Sequence, residues 1–156
     1  MKSLDKSLGM YINYINRKML RLLSSKLKSY NITTEQWSVL INLVEKDGIN
    51  QKHLASTVDK DQATLVRILD ILEKKNLATR KKCSEDRRSF LIYSTEEGRA
   101  LEAKVYPIIE DLFKNIINGI SKDQLILFLN TLSTLEKNIS IEEEKIHGRN
   151  SRGPES

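Results

Sequence analysis

Residues 61–94 read DQATLVRILDILEKKNLATRKKCSEDRRSFLIYS, and this stretch decides the fold. Apolar residues spaced three or four apart predict a helix with one buried face, and the alternating segment at the end predicts a strand. Between them lies a basic strand with a polar tip, so the helix is followed directly by a two-stranded hairpin. A helix and a basic wing in this order can contact two grooves of duplex DNA at once.

The predicted helix has two different faces. We expect Asp61 to cap it, and the buried face to carry Leu65, Ile68, Leu69 and Leu72. The opposite face carries Ala63, Arg67, Asp70 and Lys74. Small residues near the N-terminal end allow approach to a major groove, where Gln62, Thr64 and Arg67 could contact base edges or phosphates. Because Asp70 would repel phosphate, we expect it to pair with a basic residue, for which the hairpin offers candidates. The alternative is an ordinary solvated helix face.

The hairpin strengthens the DNA interpretation through its charge. The strands are predicted at 77–83 and 89–94, with the tip at 84–88. We expect Asp86 to fix the turn and to hold Arg88 by an ion pair, so that one guanidinium is directed at a minor groove. Residues 50–95 contain ten Lys or Arg against six Asp or Glu, which is +4 of the net charge of +5. The residues predicted to contact DNA are Gln51, Gln62, Ala63, Thr64, Arg67, Lys74, Arg80, Lys82, Asp86, Arg87 and Arg88.

Capping patterns place the other helices. A Ser or Thr followed three residues later by Glu or Gln predicts helix starts at Thr33, Ser94 and Ser121. Periodic apolar residues predict a long N-terminal helix over about 4–30, a helix that ends near Asp47 and Gly48, and a short helix over 51–58 capped by Asn50. Two more helices are predicted over about 96–139, and Pro107 should bend the first of them. The terminal helices carry more apolar surface than a winged unit covers, which predicts a two-fold homodimer.

Composition excludes several classes of function. The 156 residues suit one domain, and no apolar run is long enough for a membrane span. One cysteine and two separated histidines favour a cytoplasmic protein without a metal site. We expect no cofactor and no enzymatic activity, because there is no Gly-rich phosphate loop and no nucleophile with a histidine partner. Residues 147–156 are predicted to form a disordered tail.

Three segments together resemble the MarR family of winged-helix transcriptional regulators: NQKHLASTVDKDQATLVRILDILEKKNLATR, SEDRRSFLIYS and TEEGRALE. The resemblance extends over about 4–136. It implies a mainly α fold with a small β-wing, in which residues 1–139 form a winged helix-turn-helix domain flanked by dimerisation helices (helix-turn-helix about 51–75, wing about 77–94). It also implies a homodimer that binds a palindromic operator in double-stranded DNA, usually as a repressor. The Asp-x-Arg of the family's wing falls on Asp86 and Arg88, and Asn76 replaces a frequent glycine.

The sequence leaves the switch open. Members of the family often bind a small aromatic or anionic effector, and Tyr11, Tyr14, Tyr30 and Trp37 lie where they could line its crevice, although core packing is the alternative for each. Cys83, flanked by cations, could instead make a redox-responsive regulator. A different class also remains open, a winged-helix module that binds protein without binding DNA.

Overall fold

The computed structural model describes residues 4–82 and 90–150 and consists mainly of helices. Their order is α1 (Leu4–Leu27), a 3-10 turn (Lys28–Tyr30), α2 (Thr34–Glu45), β1 (Ile49–Asn50), α3 (Gln51–Thr57), α4 (Gln62–Lys74), β2 (Ala78–Lys82), β3 (Phe90–Ser94), α5 (Glu96–Ile116) and α6 (Lys122–Asn150). The chain divides into two compact units, Met1–Lys114 and Asn115–Ser156. The predicted fold class, mainly α with a small β-wing, is confirmed.

Side-chain caps define the helix starts, as the sequence predicted with one exception. Thr33 and Gln36 form a complete capping box on α2, and the side chains of Asn50 and Asp61 accept backbone N–H groups of α3 and α4. The start of α5 was predicted one residue too early. Its cap is Thr95, whose hydroxyl accepts the N–H of Gly98 at 3.0 Å, whereas the predicted cap Ser94 is buried at the end of β3. The Ser94 hydroxyl instead hydrogen-bonds to Asp47 and Arg99.

The core of the first unit lies beneath α4. The four apolar residues predicted for the inner face of this helix are all buried, together with Leu40 and Leu43 of α2, Leu54 of α3 and Ile92 of β3. Burial of this kind supplies most of the free energy that holds a helix in place, because an isolated helix of 13 residues is marginal in water. The orientation of α4, and therefore of its outer face, follows from this packing.

The described strands form an antiparallel sheet in the order β1-β3-β2. Arg80 of β2 lies opposite Ile92 of β3, and Ile49 of β1 lies opposite the same residue from the other side. The sequence analysis missed β1, because two residues are too short to show the alternation that identifies a strand. The predicted hairpin strands are confirmed over 78–82 and 90–94, and the predicted tip at 84–88 lies outside the described residues.

A close backbone approach joins α5 to Leu77, the residue that leads into β2. Gly98 lies in the first turn of α5, and a Cβ atom at this position would be 2.2 Å from the carbonyl oxygen of Leu77. The same oxygen accepts the N–H of Thr95 at 3.2 Å, and the Thr95 hydroxyl donates to the carbonyl of Asn76 at 2.6 Å. Asn76 itself has a φ of 56°, the left-handed conformation expected for it.

In the second unit, α6 begins with the predicted capping box of Ser121 and Gln124. The helix ends at Asn150, well beyond the predicted end near Ile139. Residues 147–150 are therefore helical, whereas the sequence predicted that a disordered tail begins at residue 147. Exposed apolar side chains on α6 include Ile126, Leu127, Phe128, Leu129, Ile139, Ile141 and Ile146. In the described part of the chain, no helix is both long and apolar enough to cross a bilayer.

Candidate nucleic-acid interface

The outer face of α4 is open and starts with small side chains. Gln62, Ala63, Arg67 and Lys74 are exposed, while Thr64 and Asp70 are half-buried. Among the described residues Arg67 forms no ion pair or hydrogen bond. Because its guanidinium is not neutralised within that part of the chain, it is free to meet an anion or the acceptor edge of a base.

Thr64 has a local role that the sequence analysis did not assign. Its backbone N–H donates to Asp61 Oδ1 at 2.8 Å, and its hydroxyl donates to Asp61 Oδ2 at 2.6 Å. These hydrogen bonds lower the pKa of Asp61 below its ordinary value, so the capping carboxylate is ionised at neutral pH. The cap is therefore lost only as the pH falls through that lowered pKa. The Thr64 hydroxyl proton is committed to the cap, which leaves only its oxygen lone pairs for another contact.

Arg80 of β2 is largely covered and binds α4, the second helix of the helix-turn-helix and therefore its recognition helix. Its Nη1 contacts Asp70 Oδ1 and Glu73 Oε2, each at 2.7 Å, and its Nη2 donates to the Val66 carbonyl at 3.1 Å. The side chain is 19% exposed. The pairing of Asp70 with a basic residue of the hairpin is thus confirmed. Among the cations predicted to contact DNA, Arg80 therefore has a guanidinium that already binds acceptors on α4.

The strand β2 presents cations beyond Arg80. Lys81 and Lys82 are exposed, and the Lys81 ammonium lies 4.8 Å from the centroid of the Tyr93 ring. On α3, Gln51 is half-buried and Lys52 is exposed. Asp86, Arg87, Arg88 and Cys83, predicted for the tip and the redox switch, lie outside the described residues.

A cavity of about 520 Å³ lies within the first unit and is lined by α1, α2 and α5. Its walls are Leu20, Leu23, Thr34, Trp37, Ser38, Ile41, Tyr106, Ile109, Glu110 and Phe113. The lining is apolar apart from the hydroxyl-bearing side chains and the carboxylate of Glu110, which Lys114 approaches at 3.3 Å. Its volume is within the range of small-molecule sites.

Of the four aromatic residues predicted for an effector crevice, the structure brings only Trp37 to this cavity. Tyr11 is 66% exposed on α1, and Tyr30 packs at the edge of the core. Tyr14 lines a separate depression of about 470 Å³ with Arg17, Leu20 and Arg21. Periodicity could not identify the remaining lining residues, because they come from three helices that are distant in sequence.

The end of α4 is tied to the beginning of α2. The Lys75 ammonium donates to Gln36 Oε1 at 3.0 Å and to the carbonyl oxygen of Asn31. Gln36 is buried and belongs to the capping box of α2, whose first turn also provides Thr34, Trp37 and Ser38 to the cavity. The beginning of α2 therefore lines the cavity and also contacts the end of α4.

Within the described residues, no three His, Cys, Asp or Glu side chains come together as metal ligands. The helix-turn-helix of α3 and α4, followed by the hairpin of β2 and β3, defines a winged-helix protein with a basic outer face.

Comparison with known proteins specifies the class. A sequence model of the MarR family matches residues 32–90. The structure of a cysteine-to-serine mutant of MarR from E. coli, complexed with operator DNA, is 26% identical, with a TM-score of 0.77 over 82% of this chain and 92% of that one. A MarR transcriptional regulator from Methanosarcina mazei is 26% identical, with a TM-score of 0.75 over 85% and 96%.

CouR from Rhodococcus jostii, bound to p-coumaroyl-CoA, shares the fold with a TM-score of 0.76 at 24% identity, over 86% of this chain and 95% of that one. The family model matches the central part of the chain, and these structures share its fold over most of its length. Together they support a MarR-type winged-helix protein that acts as a DNA-binding transcription regulator.

Proposed function

We propose that two copies of the chain bind a palindromic operator as a cytoplasmic repressor and that a small molecule in the α1–α2–α5 cavity releases the DNA. The observation that carries this proposal is the outer face of α4, where Arg67 and Lys74 are open while Arg80 binds the carboxylates of Asp70 and Glu73. These three cations outnumber the two carboxylates, so the net charge favours approach to phosphates.

The proposed contacts fall into two groups. On α3 and α4, the residues Gln51, Gln62, Ala63, Thr64, Arg67 and Lys74 face the major groove. On the wing, Lys82 contacts backbone phosphate, and Asp86 orders the tip so that Arg87 and Arg88 reach the adjacent minor groove. Half-sites about one helical turn apart would allow both copies to bind at once.

The test is selection of bound duplexes from random and genomic DNA with the purified protein, followed by footprinting. We expect a palindrome with two protected half-sites and reporter repression that depends on it. Recovery of a single half-site contradicts the dimeric arrangement, and recovery of no duplex would favour the protein-binding alternative.

The apolar stripe of α1 supports the homodimer. Leu8, Tyr11, Ile12, Ile15 and Leu22 are exposed at spacings of three, one, three and seven residues, so they lie on one side of the helix. A monomer would leave this stripe in water, and a second copy could cover it.

Ile12→Glu is expected to produce a monomer and to abolish binding to the palindrome, because it would bury a carboxylate in the apolar stripe. Sedimentation velocity at micromolar concentration measures the first effect and gel shift the second. Asn13→Glu, on the other side of α1, adds the same charge and should leave both unchanged. A dimeric Ile12→Glu protein would argue against α1 as the dimer interface.

The charge of the lining favours some ligands over others. The lining residues include one carboxylate, Glu110, which is paired with Lys114, and no lysine or arginine, so an anion would lose its hydration without a direct partner in the lining. An uncharged or cationic aromatic ligand fits better than the anionic ligands considered from the sequence. Because the capping turn of α2 contacts both the cavity and Lys75, a ligand that displaces this turn would also displace the end of α4.

Two fluorescent probes that differ by one sulfonate test the ligand class. N-phenyl-1-naphthylamine is expected to quench Trp37, the single tryptophan of the chain, and to release the duplex. Its 8-sulfonate analogue should bind at least tenfold more weakly. Ser38→Leu should weaken uncharged-probe binding by filling the cavity, whereas Ser24→Leu should not. Stronger binding of the sulfonate, lost in Arg17→Gln, would place the site in the depression beside Tyr14 instead.

Cys83 offers a second, independent switch. Its neighbours in sequence, Lys81, Lys82, Arg87 and Arg88, would stabilise a thiolate. If Cys83→Ser protein loses DNA binding in peroxide as readily as the parent, redox control through this residue is excluded.

A further inference from the structure

We propose that Arg80 is a positioning residue of the DNA-binding unit: it fixes the angle between the wing and the recognition helix and does not itself contact DNA. The inference rests on the proposed function, in which wing and helix bind two adjacent grooves at the same time. It assigns the basic residue in the middle of β2 a role different from that of its neighbours Lys81 and Lys82, which are exposed and form no ion pair among the described residues.

Arg80 is held to α4 by several short contacts. Both terminal nitrogens of the Arg80 guanidinium are engaged, one with two carboxylates at 2.7 Å and the other with a main-chain carbonyl at 3.1 Å. All three acceptors belong to α4, over the two helical turns from Val66 to Glu73. In addition, Glu73 Oε1 accepts the backbone N–H of Arg80 at 2.9 Å. Side chain and main chain of one strand residue are therefore fastened to the recognition helix.

The Arg80 side chain is also largely covered by the protein. Arg80 Nε is buried without a partner among the described residues, and most of the side chain is covered. An arginine used for phosphate contact keeps its donors toward solvent, where the ligand arrives. Here the donors point inward, and the planar guanidinium matches acceptors that a lysine ammonium could not reach together.

The position of Arg80 in the strand also matters, because the wing continues beyond it. Arg80 lies at the centre of β2, Ala78–Lys82, and β2 leads directly into the predicted wing tip. At about 3.3 Å per residue, the strand extends roughly 7 Å beyond this anchor before the described part ends at Lys82. A small rotation at Arg80 therefore displaces residues farther along the wing by a larger distance. Affinity for two grooves at once depends on that alignment.

The decisive experiment removes the acceptors instead of the arginine. Asp70→Asn with Glu73→Gln deletes two negative charges from the face of α4 and frees Arg80. If Arg80 were a phosphate contact, or if only charge mattered, this variant would bind the selected duplex more tightly than the parent. As a positioning residue, Arg80 predicts the opposite: binding at least tenfold weaker, with loss of hydroxyl-radical protection at the wing's flanking minor groove and retention at the positions covered by α4.

Arg80→Lys provides the conservative substitution. It keeps the charge, so a phosphate contact would be rescued, whereas the positioning role predicts the same loss of flanking protection and an unchanged salt slope. Lys82→Gln is the matched control on the same strand, and should lower the magnitude of the salt slope by about 0.9 per bound copy, or about 1.8 for the dimer, while keeping the footprint. Urea unfolding of every variant separates alignment from general destabilisation.

Three results would overturn the proposal: tighter binding by the Asp70 and Glu73 double variant, parental binding by Arg80→Lys, or losses of affinity that simply follow the urea midpoints with the footprint intact. A parent protein that selects no duplex would instead contradict the proposed function, and with it this role for Arg80.

Discussion

Gly98→Ala is expected to destabilise the protein by about 3 kcal/mol or more, the upper range for overpacking a close contact. The added Cβ would be 2.2 Å from the carbonyl oxygen of Leu77 and 3.2 Å from Leu40 Cδ1. The nearer atom belongs to the backbone, so rotation of a side chain cannot relieve the clash. Separation of α5 from Leu77 would also weaken the hydrogen bond from the Thr95 N–H to the same carbonyl. Urea unfolding at a fixed protein concentration measures the change.

Gly9→Ala is the matched control for this prediction. Gly9 lies inside α1, and nothing comes within 4 Å of a Cβ built there. The same substitution should therefore stabilise the helix by up to about 1 kcal/mol, because alanine loses less backbone entropy than glycine on folding. If both variants had the parental urea midpoint, the close approach of α5 to Leu77 would not be a property of the protein in solution.

Arg67→Ala is expected to weaken binding by roughly 5- to 150-fold per half-site of the selected duplex, which corresponds to about 1–3 kcal/mol for each base-reading arginine. Arg67 is exposed in the middle of the outer face of α4 and is unpaired within the described residues. Removing it should also relax the preference at one position of each half-site. Gel shifts with the selected duplex and with its single-base variants measure both effects across salt concentrations.

Arg17→Ala removes the same charge from α1 and should leave the affinity within about twofold of the parent, which separates a direct contact from a change in net charge. If Arg67→Ala lowered affinity equally for all duplexes and reduced the salt slope, Arg67 would be a phosphate contact. An unchanged affinity at every salt concentration would exclude it from the interface.

Local sequence patterns were sufficient to predict much of this fold. The spacing of Leu65, Ile68, Leu69 and Leu72 identified the buried face of α4, because helical periodicity alone determines which residues share a side. The caps Thr33, Asn50 and Asp61 were identified for a similar reason, since each bonds a backbone group only two or three residues away. Ser94 failed as a cap because a long-range partner, Asp47, binds its hydroxyl and its N–H.

Sequence patterns alone could not predict the functional site. From their charge alone, Arg80 and Lys82 were both predicted to contact DNA. In the structure Arg80 is bound to α4, whereas Lys82 is exposed. No spacing in the sequence distinguishes them, because the difference depends on which strand face turns toward the helix. The cavity is a similar case: Leu20, Trp37 and Tyr106 come from three helices, and only packing makes them neighbours.

The sequence by itself thus determined where the recognition helix and wing strands lie and which side of that helix is buried, since these properties depend on interactions between residues a few positions apart. The tertiary structure alone decided which cations remain free among the described residues, how the wing is joined to α4, and where a cavity forms between α1, α2 and α5. These properties depend on contacts between distant segments, and their energies are set by the burial and geometry of both partners at once.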